Sequence, residues 1–220
     1  MTVKDSKLFG WNIQLAYGRG EINVIRTTFK QSDAGYMDTA NSLLRWRADT
    51  GLGYEGNVNV TDCTLVINQK FKDYKLAVVQ MFGFENTTAN PTVDWYMPNL
   101  TVRNLSLRIA AKDRVLTEKV KVCGYLIHDK YAVPNKIHLP DRVSIDGMST
   151  DYQSDKVNLC GFYGLSPRLD DSVFADKKCN VLLENIHNDI SALDPLNLDV
   201  STVGEVMYLR SLFDLGGVTV

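Results

Sequence analysis

Gly51, Gly53 and Gly56, with Val58 behind them, carry the spacing G-x-G-x-x-G-x-V. In a dinucleotide site such glycines let backbone N–H groups close on a pyrophosphate, and the same string fits a kinase glycine-rich loop. A dinucleotide site needs a strand before the glycines and a helix after them, so that the phosphate meets the free N–H groups at the helix N-terminus. The flanks here predict the reverse order. Asp38 is a candidate N-cap, and Ala40, Leu43, Leu44 and Ala48 recur at helical spacing. Residues 58–67 are β-branched and largely alternating, the pattern of a strand. For a kinase, Gln80 stands where the strand lysine belongs, and neither H-R-D-x-x-x-x-N nor D-F-G follows. The glycines are therefore expected to serve backbone geometry, with no cofactor.

The other candidates lack a motif. His128, His138 and His187 are isolated, with no H-x-H or H-E-x-x-H, and Cys179 and His187 match no zinc spacing. Asp141, Asp146, Asp151 and Asp155 share one loop-rich stretch, and Asp170, Asp171 and Asp176 another. Neither spacing fits a calcium loop, and turn capping explains acidic loops without a metal. No catalytic or metal-ligating residue is nominated. Asp94-Trp95-Tyr96, between Pro91 and Pro98, sets two aromatic faces beside a carboxylate in an expected loop. Carbohydrate platforms use that chemistry, and an aromatic anchor tucked onto the core is the alternative. Sequons at Asn59, Asn86, Asn99 and Asn104 are read as chance in an Asn-rich chain. If Asn99 and Asn104 share one strand, their five-residue separation should point them to opposite faces.

Several elements would have to position these groups. Trp11, Ile13, Leu15 and Tyr17 alternate, Gly18-Arg19-Gly20 turns the chain, and Glu21 to Arg26 returns, which predicts an N-terminal hairpin. Strands are expected near 58–67, 74–84, 100–110, 115–127, 136–145, 156–163 and 179–186, separated by breaks rich in Pro, Asn and Asp. Thr202 to Glu205 matches a capping box and opens an apolar-patterned segment that Gly216-Gly217 stop. The tail Val218-Thr219-Val220 could pair with a sheet edge, its own or a neighbour's. No internal repeat stands out.

With 220 residues, 45% hydrophobic and 23% charged, the chain has globular composition. A net charge of −2 offers nucleic acid no overall attraction, and the basic stretch from Arg103 to Lys121 reads as a solvated strand face. No run is long and apolar enough for a membrane-spanning helix, and the N-terminus has no secretory h-region. Synthesis in the cytoplasm is expected. Cys63, Cys123, Cys160 and Cys179 are expected to be reduced, the first three as buried hydrophobes.

These readings predict one mainly β domain, 1–220. It would be an antiparallel β-sandwich or barrel-like core with an N-terminal hairpin, a short helix near 38–48 and a C-terminal helix near 202–215. Its sub-regions would be a hairpin–helix unit (1–56), a β core (57–187) and a loop–helix–tail (188–220). The expected function is a non-enzymatic structural or assembly protein, most naturally a virus or phage virion component such as a capsid, tail or decoration subunit. Its partners would be itself or other structural subunits, with Val218, Thr219 and Val220 as contacts. The alternative is a β-sandwich binding module for carbohydrate using Asp94, Trp95 and Tyr96, and the third reading is an enzyme on an unfamiliar β scaffold.

Overall fold

A computed structural model describes residues 1–10, 13–15, 18–31, 42–47, 53–67, 77–86, 94–109, 120–129, 135–150, 157–163, 171–187, 191–192, 196–197 and 203–218. The chain climbs in successive coils. The first holds β1 (Thr2–Lys4), β2 (Lys7–Gly10) and β3 (Ile13–Leu15), and the second β4 (Gly18–Ile25), β5 (Thr28–Gln31) and β6 (Ser42–Arg47). The third holds β7 (Tyr54–Thr61), β8 (Thr64–Ile67) and β9 (Ala77–Asn86). A fourth adds β10 (Trp95–Tyr96), β11 (Asn99–Ile109) and β12 (Val120–Asp129), and a fifth β13 (Ile137–His138), β14 (Arg142–Thr150) and β15 (Val157–Tyr163). The sixth holds β16 (Cys179–Ile186), β17 (Ser191–Ala192) and β18 (Leu196–Asn197). A helix α1 (Val203–Ser211) then leads into β19 (Phe213–Val218).

Each strand pairs with its counterpart one coil away, in parallel. One sheet runs β1-β4-β7-β11-β14-β16-β19, with β2, β5 and β8 continuing its second half onto β11. A second runs β3-β6-β9-β12-β15, ending on β17 and β18. This is a parallel β-solenoid, in which each coil contacts mainly its neighbours. The expected antiparallel sandwich or barrel is therefore wrong. So is the hairpin: β3 pairs with β6 and β4 with β1 and β7, all in parallel, and β3 does not pair with β4. The helix near 38–48 is also overturned, because residues 42–47 form strand β6 and the rest of that span lies outside the described residues. A helix does stand near 202–215, but it ends at Ser211, and Gly216-Gly217 lie inside β19.

The core is built from rows of register partners. Ile22, Val58, Leu100, Val143 and Val181 stack through five coils and are each at most 1% exposed. Across the interior the second sheet answers with Leu44, Tyr125, Phe162 and Leu196, also buried. Tyr125 donates its hydroxyl to the Pro98 carbonyl at 2.7 Å, which satisfies the polar end of a wholly buried ring. Consecutive residues of this sheet are buried, from Val122 to Tyr125 and from Asn158 to Phe162, so it is covered on both faces there. Such strands read as unbroken apolar runs rather than as alternation.

A left-handed corner repeats between the two halves of the first sheet. Asp5, Arg26, Asp62, Asn104 and Asn185 all take φ between 46° and 54°, and Gly147 holds the same place in the fifth coil. Asn and Asp tolerate this conformation because their short polar side chains bond locally. Asn104 donates to Asp62 at 3.0 Å and Asn185 to Asp146 at 2.6 Å, while Arg26 pairs with Asp5 at 2.7 Å.

Candidate functional site

A short third sheet stands at the entry to the first one. β10 and β13 pair in parallel, Trp95 with Ile137 and Tyr96 with His138, and Gly53 bridges to Tyr96 from the preceding coil. Trp95 N–H donates to Lys136 O at 2.7 Å and Met97 N–H to His138 O at 3.0 Å. Strand alternation then sorts the side chains. Trp95 and Ile137 point into the core, 2% and 0% exposed, while Asp94, Tyr96 and His138 are half-buried on the outside.

Register partners in parallel strands stand about 4.8 Å apart, so flat side chains there stack. The Tyr96 and His138 rings lie 4.3 Å apart and within 5° of parallel. His138 Nε2 sits 2.9 Å from Asp94 Oδ2, and Asn135 Nδ2 donates to Asp94 Oδ1 at 2.7 Å. The hydrogen bond from His138, followed by that from Asn135, holds the Asp94 carboxyl below its usual range. The result is a fixed carboxylate beside an aromatic ring at the surface.

The adjoining outer face of the first sheet is a polar ladder. Asn59 Nδ2 donates to Asn23 Oδ1 at 2.9 Å, and Asn99 Nδ2 to Asn57 Oδ1 at 3.2 Å. Asn99 Oδ1 accepts from the Arg142 N–H at 3.0 Å, and the Arg142 guanidinium reaches Thr101 Oγ1 at 3.2 Å. Asn99 and Asn104 both face outward on β11, against the expectation of opposite faces, because the left-handed corner at Asn104 interrupts the alternation.

The structure gives Asp94-Trp95-Tyr96 two different roles. Trp95 is a core residue, and Asp94 and Tyr96 remain at the surface with His138 and Asn135. Neither of those two was singled out as a site residue in the sequence, since each lies about forty residues away with no local motif. The signal available was a shared polar–apolar–polar rhythm, Asp94-Trp95-Tyr96 against Lys136-Ile137-His138, legible only once the strands are known to pair. Val218 pairs with Leu183 inside the fold, and Thr219 and Val220 lie outside the described residues.

A carboxylate-held imidazole can be the orienting half of a nucleophilic relay. Among the described residues, no hydroxyl or thiol is in hydrogen-bond contact with His138. None of the four cysteines is in a disulfide, and all are buried. Burial pushes the Cys63 thiol up and the Cys179 thiol to about 12, so both are protonated at neutral pH. Asp141 is paired with Lys177 at 3.0 Å. Among the described residues no three His, Cys, Asp or Glu side chains converge as metal ligands, and no helix is long and apolar enough to cross a membrane.

Gly53 and Gly56 take φ of +97° and +137°. A Cβ on Gly53 would strike the Tyr96 backbone, and one on Gly56 the Gly20 backbone of the preceding coil. The element before them is strand β6 rather than a helix, so the flanks expected from the sequence are corrected. Both glycines are explained by the close approach of neighbouring coils. Gly51 lies outside the described residues.

Compared with known proteins, the chain matches no family model, no curated protein and no solved structure.

Proposed function

We propose that the chain is a non-enzymatic structural subunit that assembles through the ends of its solenoid, the kind of part from which virus and phage particles are built. One observation carries this reading. Among the described residues, the exposed large hydrophobics are Met1 (53%), Phe9 (70%), Met207 (69%) and Leu215 (38%). All four lie at the ends, with Met1 and Phe9 by the first coil and Met207 and Leu215 in α1 and β19. Phe9 faces outward in register with the exposed Lys30, whereas Val181, the register partner of Leu215, is buried. Leu215 continues the row of Ile22, Val58, Leu100, Val143 and Val181, and is the member left open.

Open sheet edges bordered by apolar side chains favour pairing with another chain, and solenoids need polar or covered ends to remain apart. A first-coil edge meeting a last-coil edge is a head-to-tail contact, which gives a ring or a fibre according to its rotation. Lys4 and Lys7 on the first-coil edge restrict non-specific pairing, as edge lysines commonly do.

Sedimentation velocity over a wide micromolar range tests the proposal. The wild-type chain is expected to shift to larger species with concentration. Phe9→Lys or Leu215→Lys, both at exposed positions, should weaken association by about tenfold or more, equivalent to at least ~1.4 kcal/mol. A wild-type chain that stays monomeric throughout would overturn it.

A further inference from the structure

We propose that Tyr96 and Asp94, backed by His138, form a binding subsite for a neutral saccharide on the flank of the solenoid. Four features of the cluster carry the inference. Tyr96 is half-exposed although it stands next to a core tryptophan, because alternation turns it outward. One ring face is occupied by His138 at 4.3 Å, which fixes the ring upright against the sheet. The ladder position on its other side is Gly53, which contributes no side chain. That glycine is required by the close approach of the Tyr96 backbone, so the same constraint that joins the coils keeps the register position next to Tyr96 without a side chain.

The carboxylate completes the chemistry. Asp94 accepts from His138 and Asn135, one on each oxygen, and from the Lys136 backbone N–H. An ionised carboxylate offers about four acceptor sites, so capacity remains for sugar hydroxyls. Its orientation is set before any ligand arrives, which reduces the entropy lost on binding. Hydroxyl donors beside a face that packs on an aromatic ring describe a sugar better than an acidic ligand, which Asp94 would repel. The neighbouring amides and hydroxyl of Asn57, Asn99 and Thr101 extend a donor–acceptor surface for further units of a chain. The subsite lies on the fourth and fifth coils and includes none of the exposed apolar residues at the solenoid ends.

The test is retention on an array of immobilised neutral hexose and N-acetylhexosamine oligosaccharides, with far-UV circular dichroism recorded for every variant. The wild-type chain should bind at least one linear neutral glycan. Tyr96→Ala should lower retention about tenfold or more, and Tyr96→Phe should preserve it, since the ring and not the hydroxyl makes the contact. Asp94→Asn, which keeps the shape of the side chain, should weaken retention several-fold and guards against a folding defect in Tyr96→Ala. Phe9→Lys should bind as the wild type does, separating this result from that of the assembly experiment. No retention of any neutral glycan by the wild type would overturn the proposal, as would retention that is unchanged in both Tyr96→Ala and Asp94→Asn.

Discussion

Cys179 shows how far a single residue type could be read from the sequence. Its expected reduced state agrees with a buried thiol outside any disulfide, although the sequence did not place it in an apolar run as it did the other three. In the structure it opens β16, one residue before the outward Asn180, and is 0% exposed. Burial lifts its thiol from 9.0 to about 12. The raised value has a definite consequence for stability. Below about pH 9 the thiol is protonated whether the chain is folded or unfolded, and its contribution is fully present. Between about 9 and 12 the unfolded chain loses the proton first, so stability falls as pH rises through that window. Denaturant midpoints should therefore decline in that window, and Cys179→Ala should lessen the decline. Mass spectrometry after iodoacetamide at pH 8 should find Cys179 unmodified in the native chain and alkylated in denaturant. The pairing of Asp94 with His138 was not legible in the same way, because two residues forty-four positions apart share no local signal.

The elements were legible as strands but not in their direction. Val115 to Ile127 and its neighbours stand out as apolar β-branched runs, yet such a run serves an antiparallel sandwich strand or a parallel strand buried on both faces. Two features would have decided it. The first is the burial of consecutive residues, as at Val122 to Tyr125. The second is the recurring left-handed corner, hidden because its occupants are Asp, Arg, Asp, Asn, Gly and Asn rather than one residue type. The side-chain bonds joining neighbouring coils span 21 to 44 residues, so the period is too uneven to show as a repeat. The helix expected over 38–48 failed because Leu43 and Leu44, which fit helical spacing, are consecutive residues of strand β6, where Leu44 is buried. The corner has a measurable cost. Asn104→Val places a β-branched residue at φ 54° and removes the bond to Asp62. It should destabilise the fold by about 1–2 kcal/mol, the penalty of the left-handed conformation for such a side chain. Equilibrium urea unfolding checks this, and an unchanged midpoint would show that the corner relaxes without cost.

At the scale of the whole molecule, the fold joins function to exposure. A sandwich closes its core on itself, whereas a solenoid buries each coil with the next and leaves two ends to be covered. The sequence predicted an assembling β protein and named Val218, Thr219 and Val220 as its contacts. The structure instead pairs Val218 internally and concentrates exposed apolar side chains at Phe9, Met207 and Leu215. No sequence pattern marks Phe9 as exposed, since its neighbours Leu8 and Trp11 share its apolar character. Hydrogen–deuterium exchange at rising protein concentration tests the central claim most directly, because it reports which backbone amides become protected when chains meet. Peptides covering 1–10 and 213–218 should exchange more slowly as concentration rises, while those covering 99–109 and 142–150 stay constant. End peptides whose exchange does not change from the lowest to the highest concentration would contradict assembly through the solenoid ends.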